Sequence, residues 1–236
     1  MVVYYSSTLY AESPIAVPFI VVLDPGHGGS QRGAQNSEGL VEAEFVLELA
    51  LRIRQQLADQ ADITVLLTRE EDVDVSLQER STFANNNNAN MFISLHANAA
   101  QSNTLYGIET YSMDVATDTF SHLVANREND GMEDTQNAVV GINPNTMLLS
   151  LELAELMQSR VVEHISLEYP EKHVRNLGHK TAMFSVLIKS NMPSVLFEAG
   201  FISNPTEQRH LRCSHYKDNL ATAITMVILE WKTRNQ

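Results

Sequence analysis

Apolar residues along this chain come as short continuous runs or as longer stretches spaced three and four apart, and polar breaks separate the two. Short runs bounded by turn formers predict buried strands, whereas the wider spacing predicts amphipathic helices. Strands are expected over 19–24, 63–67, 91–95, 107–111, 184–188 and 194–198. A helix is expected from Glu42, with Phe45, Val46, Leu49, Ala50, Ile53 and Leu57 on one face. A second begins at Ser76, where Glu79 three residues on completes a capping box. It should fade over 85–88, because asparagine favours caps and turns. Further helices are expected over 118–129, over a long segment from Met147 to Ile165, and over 216–231. Alternating strands and helices predict one α/β domain whose central, mostly parallel twisted sheet of about six strands is flanked by helices. That domain spans 19–236. Residues 1–18 read as a leader, either the remnant of a trimmed signal or a disordered N-terminus.

Three of the apolar runs break off at residues able to bind metal or move protons. Phe19–Leu23 runs into Asp24-Pro25-Gly26-His27-Gly28-Gly29, Met91–Leu95 into His96-Ala97-Asn98, and Ser194–Phe197 into Glu198-Ala199-Gly200-Phe201. Buried parallel strands bring such ends to one sheet edge, where open α/β folds bind ligands. Two histidines with one carboxylate are a catalytic zinc set that leaves a position open. Glu42, at the start of the first helix, suits the third place, although a glutamate in a first turn also complements the helix dipole. By position alone Asp24, Glu38 and Glu44 compete with it. Glu198 is either a buried structural acid or a general base beside the metal.

Composition narrows the classes of function. A net charge of -13 disfavours nucleic acid, whose phosphates would be repelled. A single cysteine, Cys213, excludes an internal disulfide and any multi-cysteine metal site. No run approaches the roughly 18 apolar residues of a membrane span. The other six histidines sit in helical or loop contexts that suit surface or capping roles. There is neither a serine nucleophile elbow nor a phosphate-binding glycine loop.

The segments DPGHGG (24–29), GLVEAEF (39–45), FISLHAN (92–98) and MPSVLFEAGFISN (192–204) occur in this order. With them the chain resembles the zinc-dependent N-acetylmuramoyl-L-alanine amidases of the AmiC-like, type 3 family over residues 19–231. The resemblance implies cleavage of the amide between N-acetylmuramic acid and L-alanine in peptidoglycan. It implies one zinc ion on His27, Glu42 and His96, so Glu42 is favoured over Glu38 and Glu44, and it makes Glu198 the catalytic acid and base. It further implies an exported monomer of the periplasm or cell envelope that works in wall degradation and cell division.

Two departures stand out. Gln31-Arg32-Gly33 replaces the family's Asp-Pro-Gly, which alters the loop rim but no ligand. Cell-division relatives carry an inserted autoinhibitory helix, removed by an activator protein, and Arg127-Glu128-Asn129 resembles its start. Residues 114–146 are therefore expected to hold a short regulatory insertion; 130–146 is short for the full insert, which is reduced or missing. Glu133 or Asp134 is either a resting-state metal contact or part of a solvated acidic loop. A non-catalytic wall-binding protein, or a zinc peptidase or deacetylase, is the competing reading.

Overall fold

Phe19–Pro25 forms β1 and Met91–Asn98 forms β3, and both are buried on both faces, as continuous apolar runs in a parallel sheet should be. The structure is a computed structural model that describes residues 17–129, 143–170 and 174–235. The proposed leader therefore lies almost wholly outside the described residues, as do Glu133 and Asp134. Between the first strands come α1 (Glu42–Gln56), β2 (Ile63–Leu67) and α2 (Leu77–Asn86). After β3 follow β4 (Ile108–Met113), α3 (Thr119–Glu128), α4 (Pro144–Glu168) and β5 (Asn176–Ala182). The chain continues through α5 (Ser185–Ile188), β6 (Ser194–Phe201), α6 (Glu207–Arg212) and α7 (Ser214–Asn235).

The six strands form one sheet in the order β2-β1-β3-β6-β4-β5. β1, β2, β3 and β6 run parallel, whereas β4 pairs antiparallel to β6 and parallel to β5. The sheet is thus mixed and mostly parallel, with the expected six strands. Strand alternation sorts the side chains. Met91, Ile93, Leu95 and Ala97 of β3 join the larger core with α1, α4 and α7. Phe92 turns to the smaller core on the other face, with Tyr111, Phe184 and Leu196. Ser94, His96 and Asn98 share that second face by parity, as do Asp24 and Glu198.

Helix α2 carries the capping box expected at Ser76 and Glu79. Elsewhere the local pattern misleads. Residues 184–188, expected to be a strand, instead make the single turn α5, with the Leu187 and Ile188 amides donating to Phe184 O. A five-residue buried apolar run does not distinguish strand from helix. Conversely, nothing along the chain predicts β5, since NLGHKTA is polar and only half buried; its pairing with β4 makes it a strand. β3 and β6 also run past their apolar stretches, so His96 and Glu198 lie within strands rather than just after them.

Candidate metal centre and the neighbouring acid

His27 leaves the end of β1 on a tight loop, in the left-handed region at φ +57°, where non-glycine residues are uncommon. Glu42 opens α1, but its carboxylate does not cap that helix. It turns inward and accepts from the amides of Ala34 (2.7 Å) and Ala97 (3.0 Å), and it is 1% exposed. His96 faces it from β3, with Nδ1 3.0 Å from Glu42 Oε1. His27 Nε2 lies 3.2 Å from the same oxygen. Two glycines make the room. A Cβ on Gly26 would strike the His96 ring, and one on Gly33 would come within 2.5 Å of His27 Cδ2 and 2.6 Å of Glu42 Oε2.

A fourth group completes the cluster. Glu128, in the last turn of α3, puts Oε2 3.1 Å from His27 Nε2 and 3.3 Å from His96 Nδ1. One donor atom from each of the four residues falls within 4.8 Å of the others. Ligands about 2.1 Å from a tetrahedral zinc lie about 3.4 Å apart, close to the 3.0–3.3 Å contacts seen. Moreover, His27 Nε2 and Glu128 Oε2 make no well-directed hydrogen bond despite their proximity. Neither atom has another hydrogen-bond partner among the described residues. The donor set fits a cation.

Electrostatics without an ion say the same. Burial opposes charge on both imidazoles, yet Glu42 and Glu128 raise the proton affinity of His27 and, more strongly, of His96. Burial likewise opposes ionisation of Glu42, but His27 and His96 bring its pKa down to about 2. Burial opposes ionisation of Glu128 too, and His96 and His27 hold it well below the usual range. The two carboxylates are the charge that a cation bound here would neutralise.

Glu198 stands opposite His96 in the β3–β6 register and is fully buried. Among the described residues, neither of its carboxylate oxygens has a hydrogen-bond partner. Burial, reinforced by Glu42 and Glu128 against the pull of His96, pushes its pKa well above the usual carboxylate value.

The rival ligands are occupied elsewhere. Asp24 accepts from Arg80, Thr68 and Ser94, Glu38 pairs at the surface with Arg212, and Glu44 pairs with Arg32. Glu128 is the residue that sequence reasoning passes over in favour of Glu133 and Asp134. The only signal is the motif Arg127-Glu128-Asn129, and only the structure shows all three side chains anchored. Arg127 donates to Ala99 O and Asn98 Oδ1, and Asn129 donates to Met183 O and accepts from Ser185 N. Among the described residues no other group of histidines, cysteines and acids gathers in this way.

A mixed sheet whose strand ends converge on largely buried imidazoles and carboxylates defines an α/β protein with a candidate cation site. Residues 21–230 match the family model described as N-acetylmuramoyl-L-alanine amidase, and the chain belongs to that amidase family. It is 30% identical over 223 residues to the amidase AmiC of Escherichia coli O6:H1, covering 88% of this chain and 51% of that protein. The chain spans about half the length of the first curated relatives it matches. The crystal structure of an N-acetylmuramoyl-L-alanine amidase from Clostridium difficile 630 superposes with a TM-score of 0.72 at 30% identity, covering 92% of this chain and 97% of that one. The CwlD amidase of Clostridioides difficile, solved in complex with the GerS lipoprotein, gives 0.68 at 25% identity, covering 91% and 98%.

Proposed function

We propose that this chain hydrolyses the amide between N-acetylmuramic acid and the L-alanine of the stem peptide in peptidoglycan, using zinc held by His27, Glu42 and His96. The observation that carries the reading is a buried glutamate with no partner, Glu198, set beside a four-donor cluster in a domain of the amidase family. When bound, zinc supplies Lewis-acid charge at a carbonyl oxygen and lowers the pKa of water towards about 7. Glu198 takes a proton from the attacking water at a carboxylate oxygen and passes it to the departing alanine nitrogen. Its raised proton affinity suits a group that must accept a proton and then give it up. The backbone amides of Ala34 and Ala97 hold Glu42 in place throughout.

Glu128 fills the side of the cluster that water and substrate need, so the described arrangement is a resting one. Residues 114–146 act as a short regulatory insertion, and an activator that moves α3 frees the site. The relative CwlD, solved with the GerS lipoprotein, supports a protein partner of this kind. The substrate places the enzyme in the cell envelope, in wall degradation and cell division. The test is digestion of purified peptidoglycan by the zinc-loaded chain, followed by mass spectrometry of the products. Free stem peptides with an intact L-alanine amine are expected. Cuts within the peptide, loss of acetyl groups, or binding without any product even by the Glu128→Ala chain, in which the resting contact is gone, would each overturn the reading.

A further inference from the structure

Two buried arginines surround the loop that carries His27, and nothing in the proposed chemistry uses them. Arg69 and Arg80 are 3% and 2% exposed. Arg69 donates from Nε to Pro25 O (2.9 Å) and from Nη2 to Gly26 O (2.8 Å). Arg80 donates from Nη1 to Pro25 O and from Nη2 to His27 O, both at 2.7 Å. Three consecutive carbonyls are therefore held by two guanidiniums, at the point where His27 takes its left-handed conformation. Such a conformation persists only where the surroundings over-determine it.

Each arginine also reaches a second proposed ligand. Arg69 Nη2 donates to Ala43 O at 2.8 Å, which ties the His27 loop to the helix start that carries Glu42. Arg80 Nη1 donates to Asp24 Oδ1 at 2.8 Å, and Asp24 Oδ2 accepts from Ser94 Oγ at 2.8 Å, two residues before His96 on β3. The ties run from loop to helix and from loop to strand, so they set the mutual distances of all three donors. We infer that Arg69 and Arg80 are positioning residues that triangulate the metal centre through backbone carbonyls and Asp24. A planar fork with five donors reaches carbonyls that lie in several directions, whereas a lysine ammonium gathers its three donors at one compact point.

This inference rests on His27, Glu42 and His96 being metal ligands. The test is zinc affinity, by competition with a chromophoric chelator, of the full chain and its Arg69→Lys and Arg80→Lys variants. The visible absorption spectrum of each cobalt-substituted protein reports ligand geometry. Wild type should bind one zinc, and each lysine variant should bind it about 10- to 100-fold more weakly with an altered cobalt spectrum. Wild-type zinc affinity and an unchanged spectrum in folded lysine variants would overturn the inference while leaving the metal centre standing. Failure of wild type to bind zinc would overturn both. Where a lysine variant does not fold, Ser94→Ala decides, since it cuts the tie to β3 and leaves both guanidiniums in place. A severalfold weaker affinity supports the triangulation, and wild-type affinity removes it.

Discussion

Glu109 and Glu198 face each other across adjacent strands, both fully buried and both at the same edge of the sheet, yet their surroundings are opposite. Glu109 is saturated: Asn98 Nδ2 donates at 2.6 Å, Tyr111 OH at 2.9 Å and Lys180 Nζ at 2.8 Å. Glu198 has no hydrogen-bond partner at either oxygen among the described residues. A buried carboxylate left without hydrogen bonds is costly, so folding alone does not account for it. Of two acids on neighbouring strands of the same sheet, the satisfied one reads as scaffold and the unsatisfied one carries the proposed chemistry.

Glu198→Gln should sharpen that contrast most. Turnover of purified wall is expected to fall by about 10³-fold or more, with zinc affinity kept and no drop in melting temperature, because the replaced carboxyl has no hydrogen-bond partner to lose among the described residues. Retained turnover would end its assignment as the proton carrier. Glu109→Gln should do the reverse: unfolding in denaturant is expected to lose about 4 kcal/mol, since Lys180 is left without its buried partner. If Glu109→Gln unfolds like wild type, the division between scaffold acid and working acid collapses.

A third acid extends the comparison to pH. Glu207 accepts from the Phe201 and Gly107 amides, but burial pushes its pKa up to about 7 from 4.5. Its folded pKa exceeds the unfolded one, so its contribution is full below about 4.5 and lost as pH rises through about 7. The loss amounts to about 3 kcal/mol. Wild type should therefore lose stability relative to Glu207→Gln between about pH 4.5 and 7, followed by denaturant titration at several pH values. Parallel pH profiles for the two proteins would show the carboxylate to be ionised throughout. The smallest effect is expected for Glu128→Ala, which clears the cluster: basal wall hydrolysis should rise about tenfold, or about 1.4 kcal/mol. A lower rate would make Glu128 a working ligand rather than a resting-state block.

Much of this is legible along the chain. Continuous apolar runs mark β1, β3 and β6, and each run points at its polar residue, because a strand buried on both faces has no other way to read. The resemblance favours Glu42 over Glu38 and Glu44, and in the structure Asp24, Glu38 and Glu44 are each engaged by other partners. Residues 184–188 and β5 are illegible for opposite reasons. The former are apolar enough for either structure, and the latter are too polar to signal a strand without β4 beside them. Glu128 escapes notice because nothing local sets it apart from Glu133, five residues on. Its role depends on where α3 ends, and Arg127 and Asn129 anchor that end to residues 28 to 56 positions away.

By itself the sequence determined which segments are strands or helices in the well-patterned regions, and which side chains at their ends are candidates for chemistry. Both follow from burial and backbone geometry over a few residues. Only the tertiary structure decided that His27, Glu42, His96 and Glu128 share one space, that Glu109 is satisfied while Glu198 is not, and that two arginines brace the His27 loop. Hydrogen-bond saturation and donor convergence depend on the register of strands tens of residues apart, and no local pattern encodes that distance.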